Sequence, residues 1–374
     1  MSVGKTALRA YKTEIDPNPE QIVLIHKTIG TCRYVYNLFI QKNKERYEES
    51  EKFLSGYDFS KWLNNVHSKQ EEFKWIKDVS SKAVKQSIMN ADGAYKKFFK
   101  KLTAFPKFKK RSDYGNFYLI GSIRVKRHLI QLPTLGKVKL KEKGYIPFEN
   151  VKSCTVSREG DRYFVSVLVE EDKLPKTETK KTEGVGIDMG IKEFLYTSNG
   201  ESVANFSKSE QLIKLTKSLK RQQRKLSRRE KGSANFRKQK VIIQRLHRKI
   251  RNIKMDLKRK LILKIVQRNP QFVTIEHLNI KGMQRNRRLS NSLQQIGIGY
   301  FIEWLRMKCL EREIELRRAD RFYPSSQICS GCGERKKMPL HVRLYDCDHC
   351  GMKKDRDLNA SINLKKAKEY TVLT

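Results

Sequence analysis

What the chain lacks constrains it first. No stretch of about 18 apolar residues occurs in its 374, so no membrane-spanning helix is expected. The opening Met1–Glu14 is interleaved with Lys and Arg and has no apolar core of a secretory leader, so export is not expected either. Acidic residues are scarce: 40 Asp+Glu face 81 Lys+Arg, a formal net charge of +41. An excess of that size calls for a polyanionic partner, and nucleic acid is the usual one. The aromatic content (17 Phe, 15 Tyr, 3 Trp) and 38% hydrophobic residues exclude wholesale disorder. Seven cysteines, an odd number in a chain without a leader, argue against a disulfide framework and for a reducing compartment.

At roughly 100–200 residues per domain, the length predicts two or three packed units. Ile22, Ile25, Ile29, Cys32, Tyr36 and Phe39 recur at spacings of three and four, and Val84, Ile88, Ala91, Tyr95, Phe98 and Leu102 repeat the rhythm after Ser80. Both read as helices with one apolar stripe, with Trp62, Phe73 and Trp75 buried against them. A basic, aromatic-laced loop at Phe105–Arg111 leads into short strand-like runs from Phe117 to Val169, broken by turn residues such as Pro133, Gly136 and Gly160. The opening Thr6–Ile15 is expected to complete this antiparallel β unit, and Lys173–Glu183 reads as a linker. Tyr34, Tyr57, Lys107 and Arg111 are candidates for nucleic-acid contact, each with an ordinary alternative in the core or on a solvated surface.

A buried strand, Gly184–Gly190, carries Asp188, and a β-meander follows to Ala204. Residues 208–268 hold 23 Lys+Arg and 3 Asp+Glu, a net of +20 over 61 residues, yet keep apolar stripes such as Leu246, Ile250, Ile253, Leu257 and Leu261. They read as two amphipathic helices joined around Gly232, with a cationic face suited to phosphates. Phe272–Ile275 is a second buried strand, ending in Glu276. Then follow a basic loop at Lys281–Arg288, a helix around Tyr300–Glu311, a strand at Ile314–Arg318 and a last helix from Asp355 to about Glu369. Tyr370–Thr374 reads as a frayed tail.

Two constellations carry chemistry. Cys329-x2-Cys332-x14-Cys347-x2-Cys350 presents two thiolate pairs to one point, the ligand set of a closed tetrahedral zinc site with a structural role. Asp188, Glu276 and Asp357 are weaker singly, since a helix-start Asp357 also reads as an N-terminal cap. Together, their order (strand acid, meander, basic helices, strand acid, helix acid) suits a ribonuclease-H-like fold. Such a trio can hold two Mg²⁺ ions for phosphodiester hydrolysis.

The chain resembles the TnpB (OrfB) family of transposon-encoded RNA-guided nucleases, which is related to type V CRISPR effectors. The resemblance runs through Gly186-Ile-Asp-Met-Gly190, Ile275-Glu-His-Leu-Asn279, Lys281-Gly-Met283, Asn286-Arg-Arg-Leu289, Pro324–Gly333 and Asp355-Arg-Asp-Leu-Asn-Ala360. Cys32-Arg-Tyr-Val-Tyr-Asn37 and Phe105-Pro-Lys-Phe-Lys109 extend it toward the N-terminus; Ser361, where the family more often has Ala, departs from it. The resemblance implies a multi-domain α/β chain. Its parts would be a wedge β-barrel (1–15 and 113–175), a helical recognition lobe (16–112), a linker (176–183), a RuvC nuclease core (184–324), a zinc finger (325–352) and a last RuvC segment with a tail (353–374). It implies an RNA-guided DNA endonuclease that binds a guide RNA from the transposon end and recognises a short transposon-adjacent motif. Both strands of target double-stranded DNA, including the displaced single strand, would be cut at one two-metal site. By position, Asp188, Glu276 and Asp357 would be the Mg²⁺-binding catalytic acids, with Asp355 in support, and the four cysteines the structural Zn²⁺ ligands. A monomer on one RNA, in a prokaryotic cytoplasm and held on the nucleoid through DNA, is the expected state. The alternatives are a cleavage-inactive RNA-guided repressor, a ribonuclease-H-fold transposase and a zinc-ribbon RNA-binding protein.

Overall fold

The computed structural model describes residues 6–112, 114–172, 180–339 and 341–373, which divide into two units, Met1–Pro175 and Lys176–Thr374. The first unit opens with strand β1 (Thr6–Asp16) and a 30-residue helix α1 (Pro19–Glu48). Asn18 starts that helix: its Oδ1 accepts from the Gln21 N–H at 2.8 Å, and Gln21 Oε1 accepts from the Asn18 N–H at 3.0 Å. This reciprocal cap, followed by Pro19, satisfies donors that a helix start leaves orphaned. Helices α2 (Gly56–Asn65) and α3 (Ser81–Phe99) pack on α1 through Val35, Phe39, Phe59, Leu63, Ile88 and Ala91. Phe73 and Trp62 pack partly buried against this core, while Trp75, expected inside, is 39% exposed and lies edge-on to Tyr34.

Strands β2 (Tyr114–Ile120), β3 (Arg124–Val125), β4 (Leu129–Leu132), β5 (Gly136–Leu140), β6 (Val151–Glu159) and β7 (Arg162–Asp172) join β1 in one sheet, ordered β2-β6-β7-β1-β5-β4-β3. The opening segment does complete the sheet: β1 pairs antiparallel with β7 from Thr6↔Asp172 to Ile15↔Tyr163, and with β5 at Ile15↔Leu140. Among the described residues no ladder joins β2 to β3, so backbone hydrogen bonds alone do not close the expected barrel.

The second unit centres on a six-stranded sheet ordered β10-β9-β8-β11-β12-β15. Its strands are β8 (Val185–Met189), β9 (Glu193–Thr197), β10 (Ser202–Ala204), β11 (Phe272–Ile275), β12 (Glu315–Ala319) and β15 (Tyr370–Val372). Strands β8, β11 and β12 are parallel; β9, β10 and β15 run antiparallel to their neighbours. Basic helices α4 (Glu210–Ser227) and α5 (Ala234–Gln267) turn at Gly232, whose φ of +90° suits a residue without Cβ. Ile262 and Val266 of α5, with Phe301 and Leu305 of α8 (Ile298–Glu311), bury one face of the sheet. The other face receives α9 (Arg356–Lys366). In the chain between β12 and α9 stands a cysteine-bearing segment with a small hairpin, β13 (Leu344–Asp346) and β14 (Lys353–Asp355).

Three expectations need correction or bounding. The basic loop at Lys281–Arg288 is helical, as α6 (Ile280–Arg285) and α7 (Arg287–Ile296). Asn279 Oδ1 caps α6 by accepting from the Gly282 N–H, and Leu293 and Ile296 bury α7, so local charge is overridden by an apolar face just beyond the basic run. Of the expected frayed tail, Tyr370–Val372 form strand β15 and Thr374 lies outside the described residues; the Arg317 guanidinium lies over the rings of Phe272 and Tyr370, at 3.7 and 4.4 Å. Residues 173–179 of the expected linker lie outside the described residues, and its end belongs to the second unit: Thr182 bridges Pro270.

Candidate functional site

Strand periodicity aims the carboxylates. Along β8, Val185, Ile187 and Met189 point into the core shared with α5 and α8, so Gly186 and Asp188 face α9. The parallel register Ile187↔Ile275 then sets Glu276, the residue just after β11, beside Asp188. Helix α9 approaches β8 at Gly186, where a Cβ would sit 2.0 Å from the Ser361 carbonyl oxygen and 2.4 Å from the Lys365 nitrogen. That approach brings Asp357, in the first turn of α9, close enough for its charge to act on Asp188, although among the described residues only the four cysteines form a metal-ligating group with donor atoms all within 4.8 Å of one another.

The capping reading of Asp357 belongs to Asp355 instead. Asp355 Oδ1 accepts from the Asp357 N–H at 2.9 Å and the Leu358 N–H at 3.1 Å. The Asp357 carboxylate is thereby free of a helix duty, and takes an ion pair from Arg343 at 3.2 Å.

Glu276 and Asp357 both act against ionisation of Asp188. Asp188 is pushed up to about 8, by burial first and then by the charges of Glu276 and Asp357, against the opposing pull of Arg356. Glu276 is also raised by burial, and Arg356 works against the rise. Asp357 is raised by burial, with Arg343 countering and Asp355 adding. The repulsion falls hardest on Asp188. Carboxylates that resist joint ionisation favour a divalent cation, whose charge removes the conflict; an all-oxygen donor set suits Mg²⁺.

The cysteine site is built from two matching turns. The N–H of Gly333 donates to the Cys329 carbonyl at 2.9 Å and that of Gly351 to the Cys347 carbonyl at 2.9 Å; both glycines have positive φ, +84° and +70°. The Cys329 N–H donates to Glu334 and the Cys347 N–H to Met352, at 2.8 and 3.0 Å. All four sulfurs lie within 4.8 Å of one another, with Cys329–Cys350 at 3.6 Å and Cys332–Cys347 at 3.7 Å. A tetrahedron with zinc–sulfur bonds of about 2.3 Å has edges of about 3.8 Å, so the donors fit zinc. Desolvation works against the Cys329 thiolate, but the N–H groups of Cys332 and Gly331 and the neighbouring thiols prevail, bringing it to about 6. With four sulfurs and no open position, zinc here would hold structure rather than do chemistry.

Sequence reasoning missed how these two sites are joined. Asn359 Oδ1 accepts from the Ser330 N–H at 2.9 Å while its Nδ2 donates to the Ile328 carbonyl at 2.7 Å. Asn363 Nδ2 donates to the carbonyls of Ser325 and Ile328, at 2.8 and 2.6 Å, and Lys366 Nζ to that of Ser330 at 2.6 Å. The signal was present as two Asn at i and i+4 on one helix face, directly after the Asp355–Asp357 motif. Arg356, also unremarked, is 9% exposed and carries its charge beside the acids.

In the first unit, Asn37 clamps the Phe105–Lys109 segment onto α1: its Nδ2 donates to the Lys109 carbonyl at 3.0 Å and its Oδ1 accepts the Lys109 N–H at 2.8 Å. Lys109 Nζ lies 3.8 Å from the Tyr36 ring centroid. A cavity of about 360 Å³ opens there, lined by Arg33, Gln86, Asn90, Lys109, Asn116 and Tyr118 among others. Of the nominated contact residues, Arg111 lines a neighbouring cavity with His26, Arg33 and Arg158. Lys107 and Tyr57 are exposed, the latter beneath Lys61, whereas Tyr34 is engaged with His67 at 3.0 Å and packs, partly buried, against the helical core.

Comparison with known proteins agrees over nearly the whole chain. Residues 164–287 match the family OrfB_IS605, described as "Probable transposase"; residues 299–364 match the Cas12f1-like TNB domain, and residues 5–52 a helix-turn-helix domain of OrfB_IS605. A "Putative RNA-guided DNA endonuclease" of Streptomyces pristinaespiralis is 31% identical over 95% of this chain and 88% of its own. A second, InsQ of Escherichia coli (strain K12), under the same description, is 30% identical over 96% of this chain and 91% of its own. Among solved structures, the Cas12f1 protein of a complex with sgRNA and target DNA superposes with a TM-score of 0.59 at 11% identity, covering 97% of this chain and all of that one. The fold is therefore a Cas12f-like multi-domain α/β fold with a four-cysteine cluster compatible with a zinc finger. Among the described residues, no helix is long and apolar enough to cross a membrane.

Proposed function

The chain belongs to the TnpB (OrfB_IS605) family, and from that premise we propose that it is an RNA-guided DNA endonuclease whose phosphodiester-cleaving site is Asp188, Glu276 and Asp357. One observation carries the reading: register and close helix packing set Asp188 where the charges of both Glu276 and Asp357 act against its ionisation. The strand order, with parallel β8, β11 and β12 beside the antiparallel β9 and β10, supports a RuvC, ribonuclease-H-like core. The first unit would serve as wedge and recognition lobe, with guide RNA and target DNA as partners.

Mg²⁺ ions, when bound, would supply an activated water and stabilise the leaving oxygen. Asp188, Glu276 and Asp357 would be their ligands. Asp355 holds the helix N-terminus, leaving the Asp357 oxygens for that duty. Arg356 supplies a fixed positive charge that opposes protonation of all three acids. The cationic faces of α4 and α5 would hold the RNA–DNA duplex through its phosphates, leaving sequence choice to base pairing.

The test begins with expression alongside the flanking locus and sequencing of the RNA that copurifies. One discrete RNA with a variable, locus-adjacent end is expected, and that RNA should direct Mg²⁺-dependent cleavage of matched DNA. Asp188→Ala, Glu276→Ala and Asp357→Ala should each reduce cleavage at least about 10³-fold, some 4 kcal/mol in the barrier, with RNA and target binding retained. Bulk ribosomal and transfer RNA alone would sink the guided mechanism, and retained cleavage would remove that residue from the site.

A further inference from the structure

Arg356 stands between the cysteine segment and the acids. Its guanidinium donates to the Pro339 carbonyl at 3.0 Å, the Val342 carbonyl at 3.5 Å and Ser326 Oγ at 3.4 Å. Its backbone N–H donates to the Arg343 carbonyl at 2.7 Å. Pro339, Val342 and Arg343 all lie between Cys332 and Cys347, in the segment that the four sulfurs close into a ring, and Ser326 lies three residues before Cys329. A buried guanidinium is tolerated only when its N–H groups find acceptors, and here each acceptor comes from the cysteine segment. Asp357 is the next residue in the chain, and its own ion-pair partner, Arg343, comes from that same segment.

A structural zinc site holds its loops only while the metal is bound. If the ring opens, Arg356 loses its acceptors and must move toward water. The first turn of α9 moves with it, and that turn carries Asp357. Asn359 and Asn363 tie the same helix to the same segment one and two turns further on, so the displacement is not absorbed locally.

We propose that Arg356 is a positioning residue through which zinc occupancy of the four-cysteine site fixes the place of Asp357, making the cysteine segment a zinc-dependent switch on the acid site. The proposal rests on the reading that Asp188, Glu276 and Asp357 bind divalent cations. The coupling is reciprocal, as any linkage between two binding sites must be.

The full chain tests it, with two readouts besides cleavage: amide hydrogen exchange at residues 356–360, and Mn²⁺ binding followed by electron paramagnetic resonance. Stripping zinc from the wild type should speed exchange in that turn at least about tenfold and weaken Mn²⁺ binding by about tenfold. Arg356→Lys keeps the charge, but a single ammonium cannot span the three acceptors that the guanidinium fork reaches. With zinc content unchanged, this variant should reproduce both effects. Should it fail to retain zinc, Ser326→Ala, which removes one acceptor, and a zinc titration of the wild type take its place; exchange at 356–360 that ignores both overturns the proposal. Mn²⁺ binding that depends on Asp188 but not on zinc or Arg356 overturns the proposal alone. Mn²⁺ binding that is absent, or indifferent to Asp188→Asn, overturns the acid-site reading and the proposal with it.

Discussion

At Gly186 a hydrogen atom is all that fits between β8 and α9. The strand motif that carries Asp188 thus also sets the depth to which the Asp357 helix docks, and one residue type serves both. Gly186→Ala should cost about 1–3 kcal/mol or more, because the obstructing atoms are backbone and cannot swing aside. Cleavage should fall further than the melting temperature alone explains, as Asp357 is pushed off its partners. Gly93→Ala is the control: it lies in α3 with nothing within 4 Å of the new Cβ, and should stabilise the chain by about 0.5–1 kcal/mol. Equal melting temperatures for the two variants would refute the packing argument. Residue types and spacing nominated the four cysteines, and, with the family resemblance, Asp188, Glu276 and Asp357. They could not assign the helix cap, since Asp355 and Asp357 are both acids at a helix start and only hydrogen bonds tell them apart.

Elements were legible where apolar period and charge agreed, as in α1, α3 and α8, and misread where they parted. Helix α7 is the clearest instance. Its basic start reads as loop, yet Lys254 and Lys258 of α5 reach its end, donating to the carbonyls of Gln295 and Gly297 at 3.0 Å each. Cations there complement the helix dipole and satisfy orphaned acceptors. Lys258 is 5% exposed, and burial first, then Lys254, bring its ammonium down to about 8 from 10.5. A lysine lowered on folding costs stability while charged in the fold, and the cost is relieved as pH rises from about 8 toward 10.5, where only the unfolded chain still binds the proton. Unfolding free energy of the wild type relative to Lys258→Met should therefore rise between pH 7.5 and 10, by up to about 3 kcal/mol. A difference that stays flat would mean that Lys258 titrates as a free lysine. For the cysteine segment, Cys347→Ser or chelation should lower the melting temperature of the second unit and abolish bound zinc, since structural zinc contributes folding energy outright. An unmoved transition would reject the zinc assignment.

Over the whole molecule, positive charge outweighs every other feature. Residues 208–268 alone carry a net of +20; α4 buries only Leu212, and α5 buries four apolar residues together with Gln239, Gln244 and Lys258, leaving most cations toward solvent. If six or more phosphates are neutralised, affinity for RNA should drop about 10³-fold between 50 and 200 mM salt, measured as the slope of log affinity against log salt. A shallow slope would mean that these helices do not hold the backbone. The sequence by itself pointed to a polyanionic partner, nominated the four cysteines and the three acids, and determined most strands and helices, because each of these follows from residue type and period over a short span. Tertiary structure alone decided that the tail becomes strand β15, that Asp355 and not Asp357 caps α9, and that Arg356, Asn359 and Asn363 lock the cysteine segment to the helix bearing an acid. The strand and the locks depend on partners far apart in the chain, where a one-dimensional pattern carries no distance; the cap is local, but two acids two residues apart at a helix start read alike until hydrogen bonds separate them.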